Sequence, residues 1–308
     1  MYSHVSRFLQ KNKIFSDWRD FRRLIDTIIN EKPKHIWIPA LIGECYECNK
    51  ELLVPASTCL TLAYTSIILI DDLLDGDGRF SKHACNPPQL ANMSAAMVAA
   101  AYQSLLSIPL SDKEKICALS ILGRMLINVA HGQHLDTGDV TDESTYWEIV
   151  RLKSGAFFAG ALGLGGVACG VDAEEVGLLI KLGEEYGILI QIHDDLRDSL
   201  EVPANTDWGN GRHPLPILFA ETVEHPWRDR FNSIRTQVED SQLLHEAQEI
   251  LLRCGAISYG LYQIENHYDS AMQLLHQLKM KNNAPLVKVL DELVHPVDQL
   301  IKGLSEEG

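Results

Sequence analysis

The chain has 308 residues, with 42 Asp or Glu against 27 Lys or Arg and a formal charge of −15. That acidic balance excludes the basic stripes that track nucleic-acid backbones and disfavours anionic membrane surfaces. A content of 46% hydrophobic and 22% charged residues is that of a folded globular chain rather than a disordered one.

Read from the N-terminus, the segment MYSHVSRFLQKNKIFSDW has no continuous apolar stretch and no small-residue cleavage site, so no signal peptide is expected. Apolar residues at helical spacing, with few breakers, predict helices over 16–31, 50–75, 89–107, 111–135, 143–168, 173–199, 240–256, 258–280 and 284–304. Asp112 and Asp142 stand where N-caps would serve, each followed by acidic first-turn residues. Pro33, Pro39, Pro87, Pro88, Pro109 and Pro203 fall at or near the breaks, and no period-2 strands are visible. The expected fold is all-α: a single domain over 1–308, a bundle of long antiparallel helices around a deep apolar cavity.

Three uncharged stretches, 52–70, 86–110 and 154–171, approach the length of a membrane span. Ser, Thr, Asn, Gln or Gly interrupt them and the first runs straight into aspartates, so they are expected as core helices with no transmembrane segment. Seven cysteines, Cys45, Cys48, Cys59, Cys85, Cys117, Cys169 and Cys254, are scattered and mostly set in apolar runs. Reduced thiols in a cytoplasmic protein are expected, and Cys45-x-x-Cys48 has no second pair at zinc spacing. The C-terminal Gly-Leu-Ser-Glu-Glu-Gly carries no prenylation signal.

Two segments carry chemistry. Ile68-Leu69-Ile70 runs into Asp71-Asp72-Leu73-Leu74-Asp75, and Ile190-Gln191-Ile192-His193 runs into Asp194-Asp195-Leu196-Arg197-Asp198. On a helix, residues four apart share a face, so Asp71 projects with Asp75 and Asp194 with Asp198. Like charges at that spacing repel, and carboxylates at the end of an apolar helix are costly unless paired or metal-bound. One such cluster is most simply a solvated helix end; two, each after an apolar run, point to a compensating hard cation. Mg²⁺ takes one or two carboxylates plus substrate phosphates and water. Two clusters facing across a bundle would hold several Mg²⁺ ions bridged by a diphosphate, with an apolar cavity for a hydrocarbon chain. An EF-hand is a poor fit, since Asp71 to Asp77 lacks the alternate ligand spacing and the terminal Glu.

On these residues the chain resembles the trans-isoprenyl diphosphate synthases (polyprenyl synthetases), as a divergent member. The likeness covers residues 33–220. It implies an Mg²⁺-dependent enzyme that ionises an allylic prenyl diphosphate, with three ions around the diphosphate. Asp71, Asp72 and Asp75 then form the first metal motif and Asp194, Asp195 and Asp198 the second, with Gln191 beside the reacting centre. Gly132-Gln133-His134-Leu135-Asp136 is similar to the family's Gly-Gln-x-x-Asp helix, and Lys153-Ser154 to its Lys-Thr, whose Lys contacts the allylic diphosphate. Arg212, ahead of Pro214-Leu215-Pro216, and Arg79, four residues after Asp75, resemble two further basic positions.

The chain departs from the pattern at the site for the second substrate, isopentenyl diphosphate. Where the family has Gly-Lys-Arg, a His or Gln, and a second Arg, this sequence has Pro33-Lys34-His35, Tyr64 and Phe80. Only Lys34 clearly keeps its charge, and charge-assisted bonds are the strong ones to phosphate. Chain elongation with isopentenyl diphosphate is the leading expectation. A terpene synthase on the same fold, a prenyltransferase to a peptide or glycolipid, and a non-catalytic subunit of a heteromeric synthase are the alternatives. Ser66, five residues before Asp71, is small where bulk would shorten the hydrocarbon cavity, so a farnesyl-size or longer chain is expected. The resemblance favours a homodimer.

Overall fold

The architecture was determined as a computed structural model. It describes residues 1–294 except 12, 33, 76–85, 139, 141, 206–207 and 209–212, and leaves aside the side chains of 13, 14, 34, 35 and 75. Among the described residues the secondary structure is helical throughout, with no strand.

The helices in chain order are α1 (Tyr2–Lys11), α2 (Lys13–Ser16), α3 (Arg19–Glu31), α4 (Ile38–Tyr46), α5 (Lys50–Asp75), α6 (Pro87–Leu106), α7 (Asp112–Asp136), α8 (Glu143–Val150), α9 (Ala156–Ala168), α10 (Ala173–Leu200), α11 (Leu215–Thr222), α12 (Arg228–Ile234), α13 (Ser241–Arg253), α14 (Ala256–Gln277) and α15 (284–294). The long predicted helices are present within a few residues of their expected ends, save that the part of 284–304 beyond 294 lies outside the described residues. The short α1, α4, α11 and α12 were not foreseen. The predicted helix 143–168 is interrupted: α8 gives way to a π-helical turn, Arg151–Gly155, before α9 begins.

Capping explains several boundaries. Asp142 accepts from the Thr145 amide at 2.9 Å, as its sequence position suggests. Asp112, by contrast, is already the first residue of α7. The cap there is Ser111, whose hydroxyl accepts from the Glu114 amide while Glu114 accepts from the Ser111 amide at 2.8 Å, a reciprocal box. Asn86 and Gln89 form the same kind of box at the start of α6.

The chain packs into two compact units, each discontinuous in sequence. The first comprises Met1–Ala130, Ala156–Gly183 and Leu275–Leu286; the second comprises His131–Gly155, Glu184–Leu274 and Val287–Gly308. In the first unit α5 lies along α6. Its apolar stretch is long enough to cross a membrane by composition, yet 72% of it is buried within the protein. Every residue of α9 is buried, and its glycines let neighbours approach: a Cβ on Gly165 would lie 3.0 Å from Ile42, on α4. The cysteine expectation is corrected here. Cys48 and Cys169 form a disulfide, with Cα atoms 5.5 Å apart. Each lies just beyond the end of a helix, and the left-handed turn at Glu47 (φ 54) directs Cys48 toward the end of α9. A partner 121 residues away is invisible to sequence spacing.

In the second unit α8, α10 and α14 enclose a polar seam, with His267 Nδ1 2.6 Å from the accepting Glu185 Oε2 and Tyr259 donating to Glu143. Trp208 is fully buried and packs on Phe231, with ring centroids 6.1 Å apart.

Candidate active site

The second unit contains an open pocket whose wall includes Asp136, Tyr146, Lys153, Gln191, Asp195 and His213. Its position follows from the π-helical turn after α8. An extra residue in a helical turn redirects the side chains that follow, and such turns recur at functional sites. Two glycines let neighbouring helices close on this one. A Cβ on Gly187 of α10 would stand 2.3 Å from the Ser154 carbonyl oxygen, and one on Gly132 of α7 would stand 2.9 Å from the Lys153 amide nitrogen. With hydrogen in both places, Lys153 and Ser154 meet their partners. Lys153 Nζ donates to Asp136 Oδ2 at 2.5 Å, and Ser154 Oγ donates to Gln191 Oε1 at 2.8 Å.

Asp195 is the centre of the pocket. It is buried, yet both oxygens accept hydrogen bonds: Oδ1 from Gln191 Nε2 at 2.8 Å, and Oδ2 from Tyr146 Oη at 2.7 Å and the Leu215 amide at 2.8 Å. Gln191 and Asp195 are one helical turn apart on α10. Leu215 opens α11, where amides have no intrahelical acceptor and the N-cap position is Pro214, which offers none. Asp195 therefore caps a helix it does not belong to. Burial pushes its carboxyl up to about 6, against the opposing effect of the three donors. The same burial, with the carboxylate opposite, drives the Tyr146 hydroxyl well above its ordinary value, so it stays a donor.

The flanking aspartates are more open. Arg197 lies between them, with Nη1 2.8 Å from Asp194 Oδ1 and Nη2 2.9 Å from Asp198 Oδ1. The predicted second motif thus comes together with Gln191 and Lys153. Sequence reasoning missed Tyr146, His213 and the Leu215 amide as members of the pocket, and Arg197 as the counter-ion of the flanking aspartates. Tyr146 stands seven residues before Lys153, two turns along one helical face, which is a readable signal; His213 offers none in the sequence.

The remaining candidates are not among the described residues that line this pocket. Asp71 and Asp72 sit in the last turns of α5, in the first unit, Asp71 half-buried and Asp72 buried. Tyr64, half-buried on α5, packs toward Phe157 of α9 at 6.0 Å between centroids. Ser66 is buried where α5 meets α6, its hydroxyl 2.8 Å from that of Ser94. Gln133 is buried on α7 and is not among the residues that line the pocket. Lys34 and His35 open a short 3₁₀ turn, Lys34–Trp37, but their side chains, that of Asp75, and all of Arg79, Phe80 and Arg212 lie outside the described residues.

Among the described residues no three His, Cys, Asp or Glu side chains converge on a common metal position. The donor chemistry nonetheless fits Mg²⁺. The available ligands are hard carboxylate oxygens, and Mg²⁺ draws the rest of its shell from phosphate and water rather than from a protein cage.

The sequence pattern of the polyprenyl synthetase family matches residues 22–251. A short chain isoprenyl diphosphate synthase of Methanothermobacter thermautotrophicus is 27% identical over 255 residues, covering 77% of this chain and 78% of that protein. The geranylgeranyl pyrophosphate synthetase of Pyrococcus horikoshii superposes with a TM-score of 0.81 at 17% identity, over 95% of each chain. A polyprenyl synthase of Caulobacter crescentus, complexed with calcium and isoprenyl diphosphate, superposes with a TM-score of 0.71 at 21% identity, over 96% of each chain. These structural likenesses establish the all-α isoprenyl-synthase fold.

Proposed function

Since the chain belongs to the polyprenyl synthetase family, we propose that it is a prenyltransferase that ionises an allylic prenyl diphosphate and joins the prenyl cation to isopentenyl diphosphate, lengthening the chain by one isoprene unit. The observation that carries this reading is the pocket that gathers Lys153, Gln191 and the buried Asp195 around one space. Relatives named as geranylgeranyl and geranylfarnesyl diphosphate synthases support elongation over the alternatives.

The residues divide the work. Asp71, Asp72 and Asp75, together with Asp194, Asp195 and Asp198, would hold Mg²⁺, three ions with diphosphate bound. Bound there, the ions supply Lewis-acid withdrawal of charge from the leaving oxygen. The Caulobacter relative's calcium and isoprenyl diphosphate support that chemistry. Lys153, held in place by Asp136, presents a fixed positive charge where the departing diphosphate gains negative charge. Gln191 is locked at both ends of its amide, so Oε1 keeps a lone pair aimed beside the developing carbocation. Tyr146, Gln191 and the Leu215 amide stabilise the ionised form of Asp195 and so ready it to release its proton when a cation arrives. Buried Val140, Ile149 and Val150 line the same space and exclude water, which would quench the cation to an alcohol. Isopentenyl diphosphate falls to Lys34, the basic residue the resemblance leaves at that position. The reading includes a homodimer, which light scattering would test.

The test is to incubate the purified chain with Mg²⁺ and geranyl, farnesyl or geranylgeranyl diphosphate, each with and without isopentenyl diphosphate, and to identify products by mass spectrometry. Longer diphosphates that form only with isopentenyl diphosphate are the expected result. Hydrocarbons or alcohols formed without it would make the protein a terpene synthase. Consumption of allylic diphosphate with neither product would indicate another acceptor. No consumption, with or without EDTA, would leave the non-catalytic subunit.

A further inference from the structure

His213 lines the active-site pocket and is held there by two residues that have no part in the reaction as derived so far. Its Nδ1 lies 2.6 Å from Glu221 Oε2, on α11. Glu221 Oε1 accepts from the Arg235 guanidinium, and Arg235 Nη1 is also 3.3 Å from His213 Nδ1. Arg235 is only 5% exposed. A buried Arg–Glu pair is weak as a source of stability, because desolvation offsets much of its attraction. Its geometric effect is definite. A carboxylate on Nδ1 fixes the ring's orientation and keeps a proton on that nitrogen, as in carboxylate–histidine pairs generally. Nε2 is then the one imidazole nitrogen left for a ligand, and none of the described residues bonds to it.

Charge indicates the ligand. Glu221 and Arg235 carry opposite charges, so the carboxylate behind the ring is paired within the protein. Of the described residues that line the pocket, only Lys153 and His213 are basic, and Lys153 is paired with Asp136. An anion entering beside the buried Asp195 therefore meets His213 as a second basic group of the described pocket wall.

We propose that His213 is a further diphosphate-binding residue, its Nε2–H donating to a diphosphate oxygen in the pocket it shares with Lys153, with Glu221 and Arg235 as positioning residues. The proposal rests on the functional reading above, and the test separates the two. The unmodified full chain is treated with diethyl pyrocarbonate with and without Mg²⁺ and inorganic diphosphate, and carbethoxylated histidines are mapped by mass spectrometry. His213 should be protected by Mg²⁺–diphosphate, while His245, whose side chain is 76% exposed, should stay reactive. In parallel, calorimetry with Mg²⁺ and inorganic diphosphate should show binding weakened about tenfold in His213→Ala and less in Glu221→Gln, as for loss of one charge-assisted bond. If the wild-type chain binds diphosphate but His213 stays equally reactive, the proposal falls and the functional reading stands. The same holds if a folded His213→Ala variant binds as the wild type does. A wild-type chain that binds no Mg²⁺–diphosphate overturns both. Should the Ala variant fail to fold, the footprint on the unmodified enzyme decides alone.

Discussion

The last turn of α5 reads Asp71-Asp72-Leu73-Leu74-Asp75, and the last turns of α10 read Asp194-Asp195-Leu196-Arg197-Asp198. In both, the second aspartate is buried, Asp72 at 8% exposure and Asp195 at 6%. They part at the fourth position. Leu74 is 53% exposed and apolar, whereas Arg197 reaches both flanking carboxylates of its own motif. The motif on α10 thus includes a basic residue, and the motif on α5 includes none. A cation arriving at α10 must displace a guanidinium, and a cation arriving at α5 meets no basic residue of the motif.

The sharpest way to break this comparison is to remove one carboxylate from each cluster. Asp71→Asn and Asp194→Asn should each lower turnover about a thousandfold, the scale for losing a main electrostatic contributor, with melting temperatures unchanged. Full activity in either variant would place the metals elsewhere.

A second test uses the buried member of the α10 cluster. Because burial lifts the Asp195 carboxyl to about 6, the metal-free folded chain holds its proton more tightly than the unfolded chain does. Stability is then highest below the ordinary carboxylate range, falls as pH rises from about 4 to 6, and is flat above, a loss of at most about 3 kcal/mol. Asp195→Asn should remove that slope. Parallel urea-unfolding profiles for the two proteins across this range would show that the carboxylate is not destabilised.

A third concerns the seat of Lys153 and Ser154. Gly187→Ala puts a methyl group against the Ser154 carbonyl, and Gly132→Ala puts one against the backbone of Lys153. Each should cost about 1–3 kcal/mol in unfolding free energy, the range for overpacking, and Gly187→Ala, meeting a rigid carbonyl, should cost more. A melting temperature unchanged in both would mean that the π-helical turn is not tightly held.

The smallest effect comes from making the clusters alike. Arg197→Leu should tighten Mn²⁺ binding in the presence of diphosphate by a few-fold, as read by electron paramagnetic resonance. Ion pairs this exposed are worth up to about 1 kcal/mol. Unaltered Mn²⁺ affinity would show that the guanidinium does not compete.

The long helices were legible because apolar periodicity is a local property, and α5, α7 and α10 each keep it for more than six turns. The clusters were legible because carboxylates after an apolar run conflict with local stability and so demand a partner. Short helices escaped because eight or nine residues hold too few periods to stand out, as with α4 and α11. The break at Arg151–Gly155 escaped because no proline stands within it and its one glycine closes it; the π-helical turn answers to Gly132 and Gly187, which lie in other helices.

The sequence by itself therefore determined the all-α class and the two carboxylate clusters, since each depends on neighbours a few residues away, whereas Gln191 and Lys153 were joined only through the family resemblance. Only the tertiary structure decided which groups surround Asp195, which nitrogen of His213 is held by Glu221, and that Cys48 meets Cys169. Those outcomes depend on contacts between residues that lie 8 to 121 residues apart along the chain. Such contacts are set by where small residues let helices close together, and spacing along a single helix cannot encode them.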